Sequence, residues 1–123
     1  LGYVHAISHM VGAEYDTQHG LTNAIVLPVV LRFNLQNQQL KVTRMAEVMQ
    51  LSEHTKTAFI ERVEEILDEL EIPKSLIDIG IPLNCAERIA QKALLDSAAS
   101  TNPRQAGVEQ MRQLIETAIS KAR

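Results

Sequence analysis

From residue 59 to residue 70 the large apolar side chains return every three or four positions, as Phe59, Val63, Ile66, Leu67 and Leu70, with Glu61, Arg62, Glu64, Glu65 and Asp68 mainly between them. On a backbone with 3.6 residues per turn this spacing makes one apolar stripe and one charged face, the pattern of a helix laid on a core. Ser52 offers an N-cap for that helix and Pro73 closes it. No run of four or more residues alternates convincingly with period two, which a half-buried strand requires. The chain therefore reads as all-α, a helical bundle without repeats or low-complexity segments.

The same period marks the other elements. Val4, Ile7 and Val11 predict an opening helix that reaches Gly12 and begins in mid-pattern, with no cap or polar lead-in, as if a longer helix had been cut. Ala13–His19 reads as a polar connection. A second helix is expected over Gly20–Arg32, with Leu21, Ala24, Ile25 and Val29 inward and a bend at Pro28. A third is expected over Lys41–Gln50, with Val42, Met45 and either Val48 or Met49 inward. Lys74–Ile79 has room for about one and a half turns before Gly80 and Pro82. Asn84 with Glu87 three residues later reads as a reciprocal cap for a helix through Ile89, Ala90, Ala93 and Leu94. Thr101-Asn102-Pro103-Arg104 is a turn. Val108, Met111, Leu114, Ile115, Ala118 and Ile119 line the last helix, and Lys121 and Arg123 suit its C-terminus.

Composition narrows the function classes. The 123 residues fit one domain, and with aromatics at 3% and no Trp the core must be built from Leu, Ile, Val, Ala and Met. Met10, Met45, Met49 and Met111 read as packing. The net charge of −3 and scattered Lys and Arg argue against a nucleic-acid partner. The single Cys85 excludes an internal disulfide, fits a reducing compartment, and is expected to be a small, partly buried side chain. The longest apolar run, Ala24–Leu31, is interrupted by Pro28 and falls short of the ~20 residues that span a bilayer. With no signal-peptide pattern visible, no membrane partner is expected and a cytoplasmic location is.

The chemistry concentrates in the histidines. Three of the four, His5, His9 and His19, lie in the first nineteen residues. His5 and His9 are four apart and share a helix face. That spacing presents two imidazoles to one metal ion, or one to a metal and the other to a neighbouring substrate. His19 stands where the chain can double back toward His5. Imidazole nitrogen suits zinc and ferrous iron, and an open position beside protein ligands is the catalytic pattern. The spacing by itself is common, and most histidines merely hydrogen-bond. Gly20 either lets the backbone approach a ligand or simply loosens a helix entrance. His54 is expected to face solvent.

The blocks Gly2-Tyr3-Val4-His5-Ala6-Ile7-Ser8-His9-Met10-Val11-Gly12-Ala13 and His19-Gly20-Leu21-Thr22-Asn23-Ala24-Ile25 closely resemble the signature of iron-containing (group III) alcohol dehydrogenases. Leu27-Pro28 with Arg32-Phe33-Asn34, Leu70-Glu71-Ile72-Pro73-Lys74-Ser75-Leu76 with Gly80, and Thr101-Asn102-Pro103-Arg104 extend the likeness over essentially the whole chain. The resemblance implies the helical C-terminal domain of such an enzyme, of the dehydroquinate-synthase-like kind. It implies that His5 and His19 coordinate a divalent metal, Fe2+ before Zn2+. It places His9 beside the nicotinamide and substrate without coordinating the metal, in a catalytic or cofactor-binding role such as shuttling the alcohol proton.

Family members carry two more ligands, an aspartate and a histidine, on an upstream helix, and a glycine-rich α/β domain for NAD or NADP. Neither occurs in this sequence, so the chain alone is expected to be inactive. In the intact enzyme, small alcohols or diols would interconvert with aldehydes or ketones. Some members place a cysteine where this chain has Ala98, which leaves the substrate open. Apolar surface normally covered by the rest of the protein is expected to cause self-association, a homo-oligomer, or partial disorder near Leu1–Gly20. The alternative is a helical metal-binding module, or a self-associating remnant, without redox chemistry.

Overall fold

In the computed structural model, which describes residues 2–123, the elements are α1 (Tyr3–Tyr15), α2 (His19–Asn34), α3 (Gln39–Val48), α4 (Lys56–Glu69), α5 (Ala86–Leu95) and α6 (Val108–Lys121). Short 3₁₀ turns at Leu76–Ile79, Leu83–Cys85 and Ser97–Thr101 flank α5. No strand occurs among the described residues, so the all-α expectation holds. Leu1, the first residue of the expected opening helix, lies outside them.

The main core joins four helices. α1 packs on α2 and α5, α5 packs on α6, and α2 also touches α4 and α6. Buried Tyr3, Ala6, Ile7 and Val11 of α1 meet Ile25, Val26, Val29 and Val30 of α2, Ile89, Ala90 and Ala93 of α5, and Met111, Ile115 and Ile119 of α6. A smaller cluster of Leu35, Val42, Phe59 and Ile60 ties α3 to α4.

Several expectations change under tertiary contact. The second helix was expected to face inward on one stripe, but α2 also buries Val26, Val30 and Phe33, while Leu21 and Ala24 are only half-buried. An element apolar around most of its circumference belongs in the middle of a bundle. It runs on through Pro28, which has no N–H to give the preceding turn.

The connection expected at Ala13–His19 shrinks to Asp16–Gln18, because α1 continues to Tyr15 and α2 begins at His19. Glu14 is held there by Arg88 and Lys92 of α5, at 2.8 and 3.0 Å. Asp16 then ends α1 in the left-handed conformation, its N–H bonded to the Gly12 carbonyl.

The cap of α4 is Thr55 rather than Ser52, its hydroxyl accepting from the Ala58 N–H at 3.1 Å. Leu70, expected inward, is 65% exposed because α4 ends at Glu69 and Glu71 turns the chain with a positive φ. On α3 the choice falls on Met49, half-buried, while Val48 is exposed. Asn84 caps nothing: it lies inside a 3₁₀ turn, and α5 starts at Ala86 with no side-chain cap. Cys85 is wholly rather than partly buried, its thiol facing the Pro82 carbonyl at 3.1 Å.

Around the turn at 102–104 a polar latch fastens the start of α1. Buried Asn102 and half-buried Asn34, at the end of α2, pair their side-chain amides reciprocally at 2.8 and 3.2 Å. The Asn102 oxygen also accepts the Tyr3 N–H at 3.1 Å. The Tyr3 hydroxyl accepts the Ala106 N–H at 2.7 Å. Gly2 has φ 72, and a Cβ there would stand 2.8 Å from the Asn102 oxygen, so the latch requires glycine at that position.

Two measurements test these contacts. Asn102→Ala strands the buried Tyr3 N–H, and we expect a loss of about 2–4 kcal/mol in urea unfolding, against under about 0.5 kcal/mol for the exposed Thr101→Ala. For Glu14, the ion pairs hold the folded pKa at about 2, below its ordinary 4.5. A depressed carboxylate stabilises the fold fully above the unfolded value and loses that contribution as pH falls toward the folded one. Glu14→Gln should therefore cost on the order of 1 kcal/mol at neutral pH, since both cations are half in solvent. The gap from wild type should close between about pH 4.5 and pH 2; a gap unchanged by acid would contradict the pairing.

Candidate metal centre

Three imidazoles meet beside the first half of α1 and the first residue of α2. His5 and His9 stand one turn apart on α1, and His19 is the first residue of α2. The three-residue connection reverses the chain so sharply that the two helices lie against each other. Thr22 stabilises the return, its hydroxyl 2.9 Å from both the Thr17 hydroxyl and the Gln18 carbonyl.

One ring nitrogen from each of His5, His9 and His19 lies within 4.8 Å of the other two. The His19 ring stacks at 5.1 Å from both of the others, with interplanar angles of 24° to His5 and 16° to His9. The His5 and His9 rings are 6.0 Å apart. Nitrogens sharing one tetrahedral ion through ~2.1 Å bonds would be about 3.4 Å apart. Three imidazole nitrogens gathered in this volume are a donor set of the kind that suits a divalent ion such as zinc or ferrous iron.

His5 is half-buried, while His9 and His19 are exposed. Partial burial lowers the pKa of His5, and the neighbouring His19 and His9 push it the same way. A lowered value favours the neutral ring, the form that coordinates metals.

The sequence reading missed one member of this neighbourhood. Asp96, just past α5, lies 3.2 Å from His9 Nδ1 through Oδ2, and its Oδ1 accepts the Ala98 N–H at 2.8 Å. The Ala98 N–H is the largest influence lowering its pKa, with His9 contributing as well. An Asp ahead of a short 3₁₀ turn is legible as a cap. Its pairing with a residue 87 positions away is not.

Other candidates fall elsewhere. His54 is exposed before α4, and only its backbone oxygen is engaged, by Gln39. Gly20 is an ordinary helical residue with open space where a Cβ would go. Asn34 joins the latch, whereas among the described residues the buried Asn23 oxygen and the Ser8 hydroxyl have no hydrogen-bond partner. A groove of about 400 Å³, lined by Arg32, Phe33, Lys56 and Arg104 among others, contains none of the histidines.

Residues 1–119 match the Fe-containing alcohol dehydrogenase family, C-terminal. The chain belongs to that family. It is 36% identical to lactaldehyde reductase of Escherichia coli (strain K12), the match covering 96% of this chain and 32% of the reductase. With 1,3-propanediol dehydrogenase of Citrobacter freundii the identity is 32%, over 97% of this chain and 32% of the other. A crystal structure of 1,3-propanediol oxidoreductase superposes with a TM-score of 0.91 at 31% identity, covering 97% of this chain and 33% of that one. The family member described here thus spans about a third of the length of these relatives. Among its described residues no helix is long and apolar enough to cross a membrane.

Proposed function

We propose that this chain is the helical, metal-binding portion of an NAD- or NADP-linked alcohol dehydrogenase that interconverts small alcohols or diols with aldehydes or ketones. The observation that carries the reading is the convergence of His5, His9 and His19 on one small volume, in a chain whose family is that of iron-containing alcohol dehydrogenases. Residues 1–123 act as one helical domain, and the nucleotide-binding α/β domain and two remaining ligands belong to sequence outside it.

His5 and His19 hold the metal from rigid helical positions, Fe2+ in preference to Zn2+ because the family is that of iron-containing enzymes. When bound, the ion would supply Lewis acidity at an alcohol or carbonyl oxygen and a nicotinamide would supply the hydride chemistry. His9 stands beside them with an exposed ring, placed to accept the alcohol proton or return it. Packing of α1 against α2 and α5 fixes the backbone beneath all three rings, so orientation costs little at the moment of reaction.

Leu40, Val48 and Leu95 are each more than four-fifths exposed. Apolar side chains presented this way support contact with the rest of the protein or with another copy of the chain, and therefore self-association.

Calorimetric titration of the chain with Zn2+, and with Fe2+ under anaerobic conditions, tests the metal reading. We expect one ion per chain, with affinity lowered at least about tenfold by His5→Ala or His19→Ala and unchanged by His54→Ala. No binding, or equal losses in all three variants, would overturn it. Assays with NAD or NADP, metal and small diols should find no turnover by the chain alone and turnover once the upstream domain is supplied. Sustained turnover by the isolated chain would refute the division of labour.

A further inference from the structure

The carboxylate at the end of α5 is better fixed than the imidazole it touches. We propose that Asp96 is a positioning residue, which holds His9 as the Nδ1–H tautomer and leaves the Nε2 lone pair as the basic atom of that ring. The tautomer stands on geometry alone; its consequence for alcohol chemistry rests on the dehydrogenase reading above.

Both oxygens of Asp96 are committed. Oδ1 accepts the Ala98 N–H at 2.8 Å and so anchors the side chain to the 3₁₀ turn Ser97–Thr101. That turn packs on α1. Oδ2 lies 3.2 Å from His9 Nδ1, and the Asp96 side chain is 13% exposed against 48% for His9. The better buried, doubly engaged partner determines the position of the freer one.

The chemistry follows from the donor and acceptor inventory. An ionised carboxylate only accepts hydrogen bonds, so the proton between the two groups must reside on His9 Nδ1. A neutral ring then carries its lone pair at Nε2. Turning the ring over would replace Nδ1 by a carbon and lose the bond. The nearly parallel stack on His19 further restricts the ring plane. His9 is thus prepared to take a proton from an alcohol at Nε2, or to face a ligand at the triad through that atom.

Nitrogen-15 NMR of the chain at about pH 8.5, above the ordinary imidazole pKa, reads the tautomer directly. For wild type we expect the His9 signals of an Nδ1–H ring with an unprotonated Nε2. Asp96→Asn keeps an oxygen for the Ala98 N–H but turns an amide donor toward His9, so its ring should switch to the Nε2–H form. Asp78→Asn, on an exposed residue, should change nothing. A wild-type ring protonated on Nε2, or an Asp96→Asn ring that keeps the wild-type pattern, would overturn the proposal.

Should Asp96→Asn fail to fold by circular dichroism, Asp96→Ser retains a capping oxygen without the carboxylate and should likewise lose the Nδ1–H preference; retention would count against Asp96. Zinc titration of the same samples separates the two readings. Absence of binding with the Nδ1–H tautomer intact would refute the metal reading while supporting the role of Asp96.

Discussion

The packing of α1 between α2 and α5 is the constraint on which everything else depends. Tyr3, Ala6, Ile7 and Val11 are completely buried along it, and a helix gripped on two sides cannot rotate without exposing them. Rotation is what would separate the histidines, since His5 and His9 occupy the strip of α1 left uncovered by that burial. The apolar core therefore orients the polar site, although the two share no atoms.

Polar contacts then fix the two ends of α1. At the start, the Asn34–Asn102 amide pair receives the Tyr3 N–H, while Arg104 stacks 4.0 Å over the Phe33 ring and donates to the Phe33 carbonyl at 2.9 Å. Buried amides that satisfy one another specify one arrangement, because any slip strands a donor or acceptor. At the far end, Glu14 is gripped by Arg88 and Lys92 of α5. The histidines lie between these anchors, on backbone restrained at both ends.

Much of this organisation was legible in the residues. The apolar period located all six helices, and the four-residue spacing put His5 and His9 on one face. Errors gathered where a local preference met a distant partner. Ser52 has the right chemistry for a cap, yet the cap of α4 falls three residues later, on Thr55. Asn84 had the right neighbour for a cap, yet the chain entered α5 through a 3₁₀ turn instead. Ala13–Tyr15 looked like loop because its partners lie on another helix, 74 and 78 positions away.

What the sequence alone determined is the set of helices, the absence of strands, and a pair of imidazoles one turn apart, since these follow from interactions within one or two turns of backbone. The return of His19 toward His5 was expected from its place after the loop; only the tertiary structure decided that Asp96 reaches His9 and that α2 becomes the buried centre. Those contacts join residues brought together by the burial of apolar surface, which has no preferred direction along the chain and acts only when whole helix faces find each other.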